Sequence, residues 1–229
     1  MVTALDDRPA TPATVLGAHH PLGASTGFLR DAGSWQAQAQ AAAAVSPFAA
    51  ELAALTLREF ISLEAWLHSG PPLPFRYLSV HAPTKALDGD EQALVARLLA
   101  LPAVVNTIVV HPDVLDDPAA YACLGRRVVL ENMDDRKAFG QSADDLATLF
   151  TVLPEAGLCL DLAHVTAVDP SMDLAHELLD CFGPRLRQLH VSSLIDGEHA
   201  PLTQEDAERF RPVLRRCVDV PWLLEAPAA

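Results

Sequence analysis

Basic residues are scarce in this chain. Its 229 residues hold 16 Lys plus Arg against 30 Asp plus Glu, a formal charge of −14. A general nucleic-acid coat or a polybasic membrane anchor needs the opposite balance, so neither partner is expected. Cysteine is sparse too. Cys123, Cys159, Cys181 and Cys217 include no C-x-x-C pair. A domain of this length does not depend on disulfides, so the thiols read as structural and the compartment as reducing. No apolar run approaches 18 residues, which excludes a spanning helix. The opening MVTALDDRPATPATV has no basic segment followed by an apolar one, so no leader is expected. Neither G-x-G-x-x-G nor G-x-x-x-x-G-K-[ST] occurs, which removes the anchor of a dinucleotide or P-loop reading. Linkers and low-complexity stretches are missing as well. The expectation is one cytoplasmic domain over residues 1–229, and half its residues are hydrophobic, enough for a substantial core.

What is present is a period. Eight short apolar runs recur: Ala13–Ala18, Phe48–Leu55, Tyr77–His81, Thr107–His111, Arg127–Glu131, Leu158–Leu162, Leu186–Val191 and Pro221–Glu225. Successive starts lie 20 to 35 residues apart, the size of a strand, a helix and two loops. The runs are continuous rather than alternating, as in parallel strands covered on both faces. Helices are expected between them at Gly33–Val45, Thr56–His68, Asp88–Leu101, Asp113–Leu124, Ser142–Leu153, Ser171–Phe182 and Thr203–Cys217. Ser142 and Thr203 are suitable caps. This alternation predicts an α/β fold, a compact (β/α)8 TIM barrel, with a doubly wound open sheet as competitor. The eighth run lies four residues from the last residue, so the final helix is expected to be missing or truncated, which leaves room for a homo-oligomer.

Polar residues gather at the ends of the runs. The third ends at His81, the fourth at His111 and the fifth at Glu131. The sixth carries Asp161, with His164 after it. The seventh carries His190, with Asp196 and His199 following, and the eighth ends at Glu225. In a parallel barrel every strand C-terminus reaches one face, so these residues are expected to meet at one mouth. Imidazoles and carboxylates without thiolates suit Zn, Mn, Fe or Co. Several carboxylates at one mouth would repel each other without a cation. Lys85, Arg136 and Lys137 are the expected bases at the rim. Each position also has a plain structural reading. A strand-end His is more often a hydrogen-bonded structural residue, a strand-end Asp or Glu can cap the following helix, Asp161 can bond its own loop, and Asp196 fits a turn in IDGE. Independent structural roles do not explain placement at the same end of successive strands. His19 and His20, after the first run, are expected to face the mouth. His68 and His176 fall within helices, and Glu51 sits inside the second run without an assigned role.

These residues carry a resemblance. The segments SVHAP, VVHPD, VVLENMD, LCLDLAHV, QLHVSS and PWLLEAP, with the ordered series H…H…E…DxxH…H…H…E, resemble the xylose isomerase-like TIM-barrel superfamily. That superfamily spans sugar (phosphate) isomerases and epimerases, endonuclease IV-type enzymes (AP endonuclease family 2) and multinuclear iron oxygenases. The resemblance implies a metal held by Glu131, Asp161, His190 and Glu225. Glu131 and Glu225 would act as acid and base beside the substrate, and His164, His199 and Lys137 would contact it. In the repair-enzyme pattern His81 and His111 hold a second ion with Glu131, and His164 and His199 help hold a third. Here Asp196 precedes His199 by three residues rather than that pattern's two. The implied function is proton transfer next to a carbonyl in a small substrate, a sugar or phosphorylated sugar, with one to three divalent ions and no organic cofactor. The alternatives are metal-dependent phosphoester hydrolysis and iron-dependent oxygenation on the same barrel. Short loops and the acidic charge speak against a duplex substrate.

Overall fold

A computed structural model describes His20 and residues 22–85 and 90–227. Eight parallel strands close into a barrel: β1 (Leu22–Ser25), β2 (Ala49–Ala53), β3 (Tyr77–His81), β4 (Thr107–Val110), β5 (Val128–Glu131), β6 (Gly157–Asp161), β7 (Leu186–Val191) and β10 (Trp222–Leu224). β1 closes the ring by pairing with both β2 and β10, Ala24 lying opposite Ala50 and Leu224. A two-stranded antiparallel hairpin, β8 (Ser193–Ile195) with β9 (Glu198–Ala200), rises after β7. The expected first strand, Ala13–Ala18, lies outside the described residues. The barrel is completed without it by Leu22–Ser25, whose LGAS sequence is too short and too small-chained to stand out as an apolar run.

Seven α-helices are described: α1 (Trp35–Val45), α2 (Leu57–His68), α3 (Glu91–Ala100), α4 (Ala143–Val152), α5 (Leu162–Val168), α6 (Asp173–Phe182) and α7 (Gln204–Leu214). Three of them start with a reciprocal capping box, in which Thr56, Ser142 and Thr203 pair with Glu59, Asp145 and Asp206. No helix among the described residues is long and apolar enough to cross a membrane. The helix expected at Asp113–Leu124 is instead two stretches of 3₁₀ structure, Pro112–Val114 and Pro118–Arg127. Pro118 pushes Asp117 out of the helical region, and Gly125 breaks the second stretch at φ 56°. Conversely, LAHVTAV after β6, where no helix is expected, coils into α5.

The strands read as continuous apolar runs because both faces are covered. β2, β4, β5 and β6 are buried at every residue. The outer core, with Phe60, Leu63, Leu98, Leu146 and Phe210, packs between the sheet and the helices. Val109, Val129 and Cys159 form a separate small cluster. Side chains two residues apart share a strand face. The step from Val109, Val129 and Cys159 therefore leads to His111, Glu131 and Asp161, one layer nearer the C-terminal rim. A simple period-2 alternation thus sets the polar residues at the mouth.

Candidate metal centre

Glu131 at the end of β5 and Asn132 just after it build one wall of the site. Glu131 ends the strand and is 1% exposed. Asn132 follows and clamps β6, its side chain accepting from Asp161 N at 2.8 Å and donating to Asp161 O at 3.0 Å. Asp161 then divides its carboxylate between two tasks. One oxygen accepts from His164 N at 2.8 Å and caps α5, while Oδ2 is buried with no hydrogen-bond partner. The capping reading and the site reading of Asp161 are thus compatible.

His190 lies at the centre. Its Nδ1 is 3.3 Å from Glu225 Oε1, 3.4 Å from Glu131 Oε1 and 3.9 Å from Asp161 Oδ2. The opposite nitrogen, Nε2, is 3.0 Å from Glu51 Oε2. Next to this set is a second. His81 Nε2 and His111 Nε2 lie 3.2 Å and 3.4 Å from Glu131 Oε2, so the two oxygens of Glu131 face different donors. His81 Nδ1 sits 2.9 Å from the Ala82 carbonyl, and His164 Nδ1 sits 2.9 Å from that of Asn132. A carbonyl only accepts, so in both rings Nδ1 carries a hydrogen, and Nε2 is the nitrogen left with the lone pair when the ring is neutral. A third grouping brings His199 to His164 and Asp161. His199, on β9, accepts or donates with Ser192 Oγ at 2.8 Å and stands 3.6 Å from Glu225 Oε2.

All eight residues expected at the mouth, His81, His111, Glu131, Asp161, His164, His190, His199 and Glu225, are therefore joined in one network. Above it opens a cavity of about 720 Å³, lined among others by Arg30, Lys85, Arg136 and Lys137. Lys137 Nζ is 2.6 Å from Asp113, and Arg136 is held in a two-point contact by Asp134. Asp196 and Gly197 form the hairpin turn, both at positive φ, so Asp196 is a turn residue. His20 does not face the mouth. It stacks on Trp222 at 3.5 Å and contacts Val218 O, at the N-terminal end of the barrel, and His19 lies outside the described residues.

Burial and charge decide the protonation of this network. Burial alone would raise the pKa of Glu131, but the attraction of His190 and His111 holds it well below the ordinary value. Burial, reinforced by the negative charges of Asp161, Glu131 and Glu51, raises Glu225 well above it against the pull of His190. Burial works against charge on His81, yet its hydrogen bond to Glu131 and the attraction of Glu131 and Glu51 bring it up to about 9. Burial lowers His111, and the positive charges of His81 and His164 lower it further.

A divalent ion suits this donor set. Asp161 Oδ2, His190 Nδ1, Glu225 Oε2 and His111 Nδ1 are all buried without partners. Several unpaired polar atoms in one place are costly unless a bound group satisfies them. The site also contains residues whose sequence position implies no role. Glu51 is the clearest, and its signal was a lone carboxylate inside the run FAAELAAL.

No protein-family model and no curated protein matches the chain. Solved structures do match its shape. The 3-keto-D-glucoside 4-epimerase YcjR from E. coli aligns with a TM-score of 0.56 at 15% identity, over 92% of this chain and 93% of that one. The probable 3-DHS dehydratase AsbF from Bacillus anthracis gives 0.55 at 16%, over 89% and 92%. An AP endonuclease of family 2 from Brucella melitensis gives 0.55 at 15%, over 90% and 92%. The chain shares the (β/α)8 TIM-barrel fold of these structures.

Proposed function

We propose that this protein is a divalent-metal-dependent enzyme of the sugar isomerase or epimerase type, moving a proton next to a carbonyl in a small polyhydroxy substrate. One observation carries the reading. Oxygens of Glu131, Asp161 and Glu225 surround His190 Nδ1 at 3.3 to 3.9 Å, with Asp161 Oδ2 and Nδ1 itself buried and unpartnered. Glu131, Asp161, His190 and Glu225 would hold the ion. When bound, it supplies Lewis-acid polarisation of substrate oxygens and offsets negative charge that develops on them. Glu131 ends β5 and Glu225 follows β10, three steps away around the ring, so they approach a substrate from different sides. One carboxylate takes the proton and the other returns it, at the neighbouring carbon or the opposite face. His164 and His199 offer hydrogen bonds to hydroxyls, and Lys137 a positive charge at the rim. The cavity fits a small molecule in volume.

The test is solvent exchange. Metal-loaded protein in D₂O should incorporate deuterium at the carbon next to the carbonyl of its substrate within a panel of ketoses and their phosphates. Glu225→Gln should slow turnover by about 10²- to 10⁴-fold. Intact turnover by Glu225→Gln would remove the assignment.

A second reading is metal-dependent hydrolysis of a small phosphoester. The observation favouring it is the second donor set, with His81 Nε2 and His111 Nε2 both on Glu131 Oε2. Two-ion sites clamp the attacking and leaving oxygens of a displacement. Phosphate release without deuterium incorporation would select it.

A further inference from the structure

The layer below a TM-barrel mouth is ordinarily filled by branched apolar side chains. Here it is polar. Ser25, Glu51, Ser79, Thr107 and Gln188 are all buried, and Glu51 is wholly out of contact with solvent. A carboxylate in such a place persists only if hydrogen bonds replace its water. Glu51 has them. Ser79 Oγ donates to Oε2 at 3.0 Å, Gln188 Nε2 donates to the same oxygen at 2.8 Å, and Ser25 Oγ approaches Oε1 at 3.4 Å.

The orientation of this network follows from the Glu51 carboxylate. Gln188 Oε1 accepts from Tyr77 Oη at 2.8 Å and from Thr107 Oγ1 at 3.2 Å. Those hydroxyls could serve either end of the amide, but the Glu51 carboxylate only accepts, so the amino group is the end that faces Glu51 at 2.8 Å and the oxygen faces the hydroxyls. His190 Nε2 then lies 3.0 Å from both Glu51 Oε2 and Gln188 Nε2. Two arrangements compete. If Nε2 accepted from Gln188, its lone pair would face an ionised carboxylate oxygen at 3.0 Å. If Nε2 donates to Glu51, the contact is a charge-assisted hydrogen bond. The second wins, and it leaves the other ring nitrogen, Nδ1, as the one whose lone pair can meet an ion among Glu131, Asp161 and Glu225.

We infer that Glu51 is a positioning residue: it takes the Nε2 hydrogen of His190, holds the ring in one tautomer and presents Nδ1 as the metal-binding nitrogen. The inference rests on the metal reading above and deepens it. A carboxylate on the far nitrogen of a metal-bound imidazole fixes the ring and raises its basicity, and its loss costs about 10- to 100-fold in affinity. Glu51 is fully buried and does not border the cavity, so its effect on the chemistry runs through His190.

Two measurements test this together. Co²⁺ affinity of wild type and Glu51→Gln is read by competition with a chromophoric chelator. Nitrogen-15 NMR of the histidine rings in Zn²⁺-loaded wild type reports which His190 nitrogen carries hydrogen. The expected results are a 10- to 100-fold weaker Co²⁺ complex in the variant and a protonated Nε2 with a metal-bound Nδ1 in wild type. Equal affinity in a folded Glu51→Gln overturns the inference alone. So does a metal-bound Nε2, which decides the matter even where the variant does not fold. Wild type that takes up neither metal overturns this inference and the metal reading together.

Discussion

His81 and His111 turn their Nε2 atoms toward each other, 3.1 Å apart, over a single oxygen of Glu131. Two bare nitrogens do not rest at that distance beside each other. Either one carries a proton or a cation lies among them. The raised pKa of His81 and the lowered pKa of His111 describe the first state, one ring charged and one neutral.

That proton gives the metal-free protein a pH signature. His81 rises from an ordinary value of 6.5 to about 9, so its stabilising contribution is complete below 6.5 and lost as pH climbs through 9. Glu225, raised by burial and its acidic neighbours, acts in the same direction. Glu51 is opposite. Burial opposes its charge, but the attraction and hydrogen bond of His190 bring it down from 4.5 to about 2, so its contribution is present above 4.5 and lost as pH falls toward 2. Chelator-stripped protein should therefore lose melting temperature as pH rises from 6.5 to 9. Metal-loaded protein should not, because its ligands have already given up their protons to binding. Thermal melts of the two forms across this range check it, and parallel profiles would contradict it.

The two donor sets should be separable. His81→Ala combined with His111→Ala removes one set and leaves the four residues around His190. Elemental analysis should show a lower ion count than in wild type but at least one ion per chain. Glu131→Gln touches both sets and should lower the count further. A double variant with no metal would mean that the two sets act as one.

Lys137 offers a test at the rim. Its ammonium is 2.6 Å from Asp113 and borders the cavity. Lys137→Met should raise KM for an anionic substrate by about tenfold, the scale of one charge-assisted contact, with metal content unchanged. Steady-state kinetics on the turned-over member of the ketose panel measures this. Unchanged KM would remove Lys137 from substrate binding.

The closure of the barrel has its own vulnerable point. A Cβ at Gly23 would lie 2.6 Å from Ala49 O and 2.5 Å from Leu223 Cδ2. The carbonyl belongs to the neighbouring strand and has little room to yield. Gly23→Ala should cost roughly 1–3 kcal/mol, read as a lower midpoint in urea unfolding. A neutral variant would mean that β1 seats less tightly than described.

Much of this was legible beforehand, and the reasons are particular. His81, Glu131 and Asp161 end buried strands, where a continuous apolar run makes the first polar residue conspicuous. Thr56, Ser142 and Thr203 announce their helices through local hydrogen bonding, which needs no tertiary context. Leu22–Ser25 escaped notice because its strand character comes from pairing with β2 and β10 rather than from its own side chains. The 3₁₀ segments at 112–114 and 118–127 escaped because apolar spacing does not tell 3.0 residues per turn from 3.6 over so short a stretch. Glu51 was visible as an anomaly but not as a partner. Its meaning depends on Gln188 and His190, 137 and 139 residues away, and only closure of the ring brings them together.

Anomalous diffraction from crystals soaked in Zn²⁺ or Mn²⁺ tests the central claim most directly. The account predicts a peak bonded by Glu131, Asp161, His190 Nδ1 and Glu225, at about 2.0–2.2 Å for zinc. No peak at the mouth, or ions bound only at surface carboxylates, would contradict it.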